Sequence, residues 1–160
     1  MKLENKVAIV TGGSRGIGYA TVEKFIKEGA KVCLTASSEA SAEKAVGKLK
    51  EAYPSADIMG IAPTLSSLES VQAEFAKVVE KYGRIDILVN NAGMSESTPL
   101  SAYTEELYDK VIDLNVKGVF TCSKVAADYM EKQHSGVIIN ASSIVSITGQ
   151  PAGFAYPASK

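Results

Sequence analysis

The stretch Lys6-Val7-Ala8-Ile9-Val10 runs straight into Thr11-Gly12-Gly13-Ser14-Arg15-Gly16-Ile17-Gly18, and behind the glycines apolar residues recur at Val22, Phe25 and Ile26 before Gly29. Strand, glycine turn and helix in immediate succession constrain the fold strongly, because a strand followed by a crossover helix pairs in parallel with its next neighbour. The glycines have separate physical uses. Gly12 permits the tight turn, Gly16 lets backbone approach a bound pyrophosphate, and Gly18 lets the helix pack closely on the strand. Phosphates would rest on the unpaired N–H groups of the helix start. The spacing is G-x-x-x-G-x-G rather than G-x-G-x-x-G, and the arrangement is that of the first half of a dinucleotide-binding unit.

The same alternation continues along the chain. Periodicity predicts strands at Val7–Val10, Lys31–Thr35, Asp57–Ile61, Ile85–Asn90 and Val137–Ala141, each but the last followed by a helical stretch. The third helix carries Leu68, Val71, Phe75, Val78, Val79 and Tyr82 on one stripe, and Gly29 and Gly83 are placed to end helices. Two helical stretches, Glu105 to Leu114 and Gly118 to Gln133, separate the fourth and fifth strands. The expected fold is α/β, a doubly wound parallel sheet of Rossmann type with helices on both faces, forming a single dinucleotide-binding domain over residues 1–160. Glu39, Glu43, Lys44, Lys48, Lys50 and Glu51 read as the solvated face of the second helix. With 46% hydrophobic and 22% charged residues the chain reads as a soluble globular protein, and its net charge of -1 offers no polybasic surface for nucleic acid. The residues before the first strand carry no long apolar run or cleavage site, so secretion is not expected. Cys33 and Cys122 lack metal-site spacing and read as buried free thiols, in keeping with a cytoplasmic location; His134 reads as a solvated loop residue.

Chemistry enters at the other end, where Tyr156-Pro157-Ala158-Ser159-Lys160 sets a phenol and an ammonium four residues apart. On a helix these share a face, close enough for the ammonium to lower the phenol pKa. Asp86-Ile87-Leu88-Val89-Asn90-Asn91-Ala92-Gly93, Asn115 and the Ser142-Ser143 pair complete the pattern, Ser143 standing 13 residues before Tyr156. With these motifs in this order the chain resembles the short-chain dehydrogenase/reductases from Met1 to Lys160. Lys31–Glu39 and Tyr53–Leu65 are similar to 3-oxoacyl-carrier-protein reductases and bacterial hydroxysteroid dehydrogenases.

The resemblance implies hydride transfer between a nicotinamide cofactor and a carbonyl or secondary alcohol, of 3-oxoacyl or hydroxysteroid type. It assigns the proton transfer at the substrate oxygen to Tyr156, and to Lys160 both the lowering of the phenol pKa and a hydrogen bond to the nicotinamide ribose. Ser143 would donate to the substrate oxygen, and Asn115 would hold a water that relays protons to Lys160. Cofactor contacts are expected from Gly12, Ser14, Arg15, Gly16, Ile17, Gly18, Ser37, Thr64, Leu65, Asn91, Ala92, Gly93, Tyr156 and Lys160. The second strand ends in Ala36-Ser37-Ser38, with no carboxylate to repel a 2′-phosphate, and Arg15 stands ready for one; NADP(H) is therefore expected over NAD(H), unless Glu39 points inward. Thr64 occupies a position where the family usually has an Asp against the adenine. The resemblance further implies a homotetramer and a C-terminal part, with the substrate lid, that does not follow Lys160 here. A second reading follows from that end: a catalytically incompetent fragment that at most binds nucleotide, its fifth strand an uncovered edge.

Overall fold

In the computed structural model, which describes residues 1–160, the apolar runs become a five-stranded parallel sheet of order β3-β2-β1-β4-β5. The strands are β1 Val7–Val10, β2 Lys31–Thr35, β3 Ile58–Ile61, β4 Ile87–Asn90 and β5 Val137–Asn140. Every residue of β1 is buried, as a strand flanked on both edges and covered on both faces requires. The helices are α1 Gly16–Lys27, α2 Glu39–Ala52, α3 Leu68–Tyr82, α4 Glu105–Ile112, α5 Gly118–Gln133, α6 Val145–Thr148 and α7 Ala155–Ala158. Local chemistry sets their ends. Ser38, Ser67 and Thr104 cap α2, α3 and α4 by accepting the amides of Ser41, Ser70 and Leu107. Gly29 and Gly83 follow α1 and α3 with left-handed φ of 89° and 80°, as their placement in the sequence predicts.

Alternate residues of each strand feed two cores. On one face Ile9, Cys33, Ile61 and Leu88 meet Val71, Phe75 and Val78 of α3 and Cys122, Val125 and Ala126 of α5. On the other Val10, Val32, Leu34 and Val89 meet Val22 of α1 and Ala42, Ala45 and Leu49 of α2. Within β5, Ile138 packs against the first core while Val137 and Ile139 are exposed. Crossing to the far side of β1 from β3, α3 delivers β4 beside β1, so the connections reverse between these two strands and leave a crevice at their carboxyl ends.

The sequence predicts two separate helices between β4 and β5; the structure joins them. A π-helical turn, Asp113–Lys117, links α4 to α5, and the residues at both junctions keep right-handed helical dihedrals. A single inserted residue is absorbed without breaking the rod, and such turns recur at functional sites. Asn115 lies in this turn and is buried.

Both thiols are free and buried, as expected. Burial raises the Cys33 pKa and pushes that of Cys122 up to about 12. Unfolded thiols ionise near ~8.5, so above that pH the unfolded chain releases protons that the native state retains, and stability falls as pH rises, by up to about 1.4 kcal/mol per pH unit per thiol. Urea unfolding at pH 8 and 10 should show this decline, and a Cys33→Val/Cys122→Ala variant should show a shallower one. Equal slopes in the two proteins would contradict it.

Candidate active site

The crevice at the carboxyl ends of β1, β2 and β4 is a cavity of about 730 Å³. Its floor is built by side chains that hold the turn open. Thr35, ending β2, accepts the Gly12 amide on its hydroxyl at 3.1 Å, and its carbonyl accepts Gly13 N at 2.9 Å. Thr11, directly after β1, accepts the amides of Asn91 and Ala92 on its hydroxyl, each at 3.0 Å. Asn91 Nδ2 returns a hydrogen bond to Thr11 O at 3.0 Å. Three strand ends are thus locked together by two threonines and one asparagine, and the glycine turn is suspended across them.

The glycines meet different demands. Gly12 has φ +64°, a left-handed conformation that disfavours side chains. A Cβ on Gly18 would overlap the Gly12 carbonyl oxygen and lie 2.5 Å from Asn91 Nδ2, so α1 sits directly on the turn. A Cβ on Gly16 would meet no atom within 4 Å, leaving its backbone bare toward the cavity. A phosphate-bearing ligand fits such a cradle, since exposed amides at a helix start favour an anion.

Of the residues expected to touch a cofactor, Gly12, Ser14, Arg15, Gly16, Ile17, Gly18, Ser37, Leu65, Asn91, Ala92 and Gly93 line this cavity. Thr64 does not: Pro63 and Leu65 line it on either side, while Thr64 donates its amide to Ser70 Oγ. Tyr156 and Lys160 do not line it either. Lys44 and Lys48 are exposed on α2, as the sequence reading has them, and they also line the cavity. Their neighbours Ala42, Ala45 and Leu49 bury the helix against the sheet, which turns the Lys44–Lys48 edge toward the carboxyl ends of the strands. The signal was present in the sequence: a helix leaving the end of β2 begins at the ligand edge, and residues four apart on it share a face. Arg15, Lys44 and Lys48 form no ion pair, and no carboxylate lines the cavity. Glu39 is exposed and outside the lining.

A second cavity of about 250 Å³ lies alongside, lined by Asn115, Asn140, Ser142, Ser159 and Lys160 among others. Asn115 organises it. Its Oδ1 accepts Met94 N at 2.9 Å, and its Nδ2 donates to Met94 O at 3.0 Å and to Ser159 Oγ at 2.9 Å. The side chain is largely committed to tying the loop after β4 to the Tyr156–Lys160 segment, and only one Oδ1 lone pair is free for water. Lys160 Nζ donates to Ala141 O at 3.2 Å and lies 6.0 Å from the centre of the Tyr156 ring. Gly93 joins the two cavities: a Cβ there would sit 3.2 Å from both Asn115 Oδ1 and Lys160 Nζ, so the ammonium reaches the glycine that lines the larger cleft.

The adjacent serines separate clearly. Ser142 Oγ donates to Lys160 O at 2.9 Å, a structural contact, whereas Ser143 Oγ only accepts the Val145 amide at 3.4 Å and keeps its proton free. The Tyr156 hydroxyl makes no hydrogen bond within the chain.

A doubly wound sheet with a glycine-rich cradle at its reversal point, and Asn115, Ser159 and Lys160 lining a second cavity beside it, defines a dinucleotide-fold protein. Comparison with known proteins agrees. The short chain dehydrogenase family model matches residues 6–160, and the chain belongs to that family. It is 53% identical over 160 residues to the 3alpha-hydroxysteroid dehydrogenase of Mediterraneibacter gnavus, and 41% identical over 160 residues to the 3-oxoacyl-(acyl-carrier-protein) reductase FabG of Thermotoga maritima. In each case all of this chain aligns with 64% of the relative. Among solved structures, NAD+-bound xylitol dehydrogenase superposes with a TM-score of 0.93 at 31% identity, over 100% of this chain and 61% of that one. Levodione reductase gives 0.92 at 31%, over 98% and 61%. The chain thus spans less than two thirds of the length of these relatives.

Proposed function

We propose that this chain carries the cofactor cleft and the proton-transfer residues of an NADP(H)-dependent oxidoreductase acting on a hydroxysteroid-like secondary alcohol or the corresponding ketone. The observation that carries the reading is the meeting at Gly93, where the Lys160 ammonium reaches the wall of the cleft in which the glycine turn would hold a dinucleotide. Greater identity to the hydroxysteroid dehydrogenase than to the 3-oxoacyl reductase supports the steroid-like substrate over the acyl one.

When bound, the nicotinamide supplies or accepts the hydride. Gly12 to Gly18 would hold the pyrophosphate with backbone amides. Arg15, Lys44, Lys48 and Ser37, which line the cleft without any carboxylate, would hold a 2′-phosphate. Tyr156 gives or takes the proton at the substrate oxygen. The Lys160 ammonium, 6.0 Å from the centre of the Tyr156 ring, would stabilise negative charge developing on the phenol oxygen. Ser143 donates its free hydroxyl proton as charge develops on that oxygen. Asn115 keeps Ser159, and with it the Lys160 end of the segment, against the loop after β4, and its remaining Oδ1 lone pair is open to a relay water. Exposed Val116 and Phe120 on and beside α5 support association into a homo-oligomer through that helix. No helix is long and apolar enough to cross a membrane, and the two free thiols accord with a cytoplasmic location.

Cofactor choice provides the direct test. NADPH should bind about 10- to 100-fold more tightly than NADH at equal ionic strength, as expected for one or two charge-assisted hydrogen bonds. Lys44→Glu/Lys48→Glu should remove most of that margin by weakening NADPH while sparing NADH. Equal affinities in the unmodified protein, or a preference for NADH, would overturn the NADP(H) assignment.

A further inference from the structure

The segment that carries Tyr156 is held from outside by a residue to which neither its chemistry nor its family assigns a role above. Four consecutive amides, Gly153 to Tyr156, all find acceptors in the loop that follows β4. Gly153 N donates to Thr98 O at 2.9 Å. Phe154 N and Tyr156 N both donate to Glu96 Oε1, at 2.9 and 3.2 Å, and Ala155 N donates to the Tyr103 hydroxyl at 3.2 Å. Phe154, Ala155 and Tyr156 stand at the start of α7, where amides lack intrahelical partners. Glu96 is itself held in place. Its Oε2 accepts Thr98 N at 3.2 Å, and its carbonyl accepts Gln150 Nε2 at 2.9 Å. Gly153 makes the approach possible: its φ is +97°, and a Cβ there would lie 2.7 Å from Glu96 O and 2.9 Å from Glu96 Oε2.

Burial works to raise the Glu96 pKa, but hydrogen bonds from the Tyr156, Phe154 and Thr98 amides and from the Tyr103 hydroxyl outweigh it and hold the carboxyl below its ordinary range. The charged form is therefore the one the site binds. A carboxylate accepting several amides is favoured in its charged form by those hydrogen bonds. Tyr156 is tethered at both ends: Glu96 holds its own amide, and Asn115 holds Ser159, whose hydroxyl in turn donates to Tyr156 O at 2.8 Å. Both anchors come from the loop and turn that flank the larger cleft.

We infer that Glu96 is a positioning residue for Tyr156, its carboxylate fixing the backbone turn that sets the phenol beside Lys160 and the substrate oxygen. The inference rests on the reading of Tyr156 as the proton-transfer group. Placement errors of about 1 Å can cost on the order of 10²-fold in rate. Glu96→Ala should therefore lower kcat by about 10²-fold, while the KM for cofactor stays within about twofold, because Glu96 does not line the larger cleft and makes no hydrogen bond to the glycine turn. The same variant should lose about 10²-fold of amide-exchange protection at Phe154 and Tyr156 without change in β1 or β4. Glu96→Gln, which keeps an acceptor oxygen of the same reach, should recover most of both. If Glu96→Ala loses protection throughout the sheet, Glu96→Gln decides: recovered protection with recovered kcat supports the role, and recovered protection with kcat still at the alanine level overturns it. Turnover unchanged in Glu96→Ala overturns it whatever the exchange shows. A Tyr156→Phe protein that still turns over would instead overturn the underlying reading, so the two failures are distinguishable.

Discussion

Tyr156→Phe is expected to abolish turnover, with a loss of at least about 10³-fold, and to leave both the fold and cofactor affinity unchanged. General acid–base groups contribute typically 10²- to 10⁴-fold, and phenylalanine supplies no proton at all. The structure makes this substitution clean. The Tyr156 hydroxyl makes no hydrogen bond within the chain, so its removal orphans no partner, and the residue does not line the larger cleft. Lys160→Ala should behave differently. Its ammonium donates to Ala141 O and reaches Gly93 of the cleft wall, so cofactor binding should weaken together with turnover. Rates and cofactor titrations on the two variants separate the roles. If both weaken cofactor binding equally, the division between them is wrong.

Gly18→Ala is expected to have the largest effect on the fold, a loss of about 3 kcal/mol, with nucleotide affinity falling at least about 10-fold. The added methyl overlaps the Gly12 carbonyl oxygen and presses on Asn91 Nδ2, and neither can retreat freely. Gly12 is pinned by Thr35 Oγ1, and Asn91 is bonded through its amide and side chain to Thr11. Relief must come from α1 moving off the turn, which opens the phosphate cradle. Gly47→Ala provides the contrast. It lies in the exposed interior of α2 with open space around its missing Cβ, so alanine should stabilise by roughly 0.5–1 kcal/mol. Chemical denaturation of the three proteins tests the pair. A Gly18→Ala midpoint at the unmodified value would show that helix and turn are not in rigid contact.

Much of the site was legible because it follows strand ends. Once β1, β2 and β4 are recognised as parallel, their carboxyl ends must share an edge, and Gly12–Gly18, Ser37 and Asn91–Gly93 come together without any further information. The adjacent Ser142 and Ser143 differ in their contacts only in the folded chain, where Ser142 Oγ donates to Lys160 O and Ser143 Oγ accepts the Val145 amide. Thr64 shows the limit. Its neighbours face the cleft and it does not, because backbone geometry just after β3 sets which residue of three points inward.

What the sequence determined by itself is the alternation of strand and helix, the parallel sheet with its two apolar faces, and the identity of residues whose position follows directly from a strand end or a helical repeat. These are local or periodic properties, written in hydrophobic spacing and in glycine placement. Only the tertiary structure decided the rest. It joined α4 and α5 through a π turn that buries Asn115, turned Lys44 and Lys48 toward the cleft, and set Glu96 against amides 58 and 60 residues away. Each depends on side chains meeting across separate segments, and no pattern within a single segment records which polar group another element will leave unsatisfied.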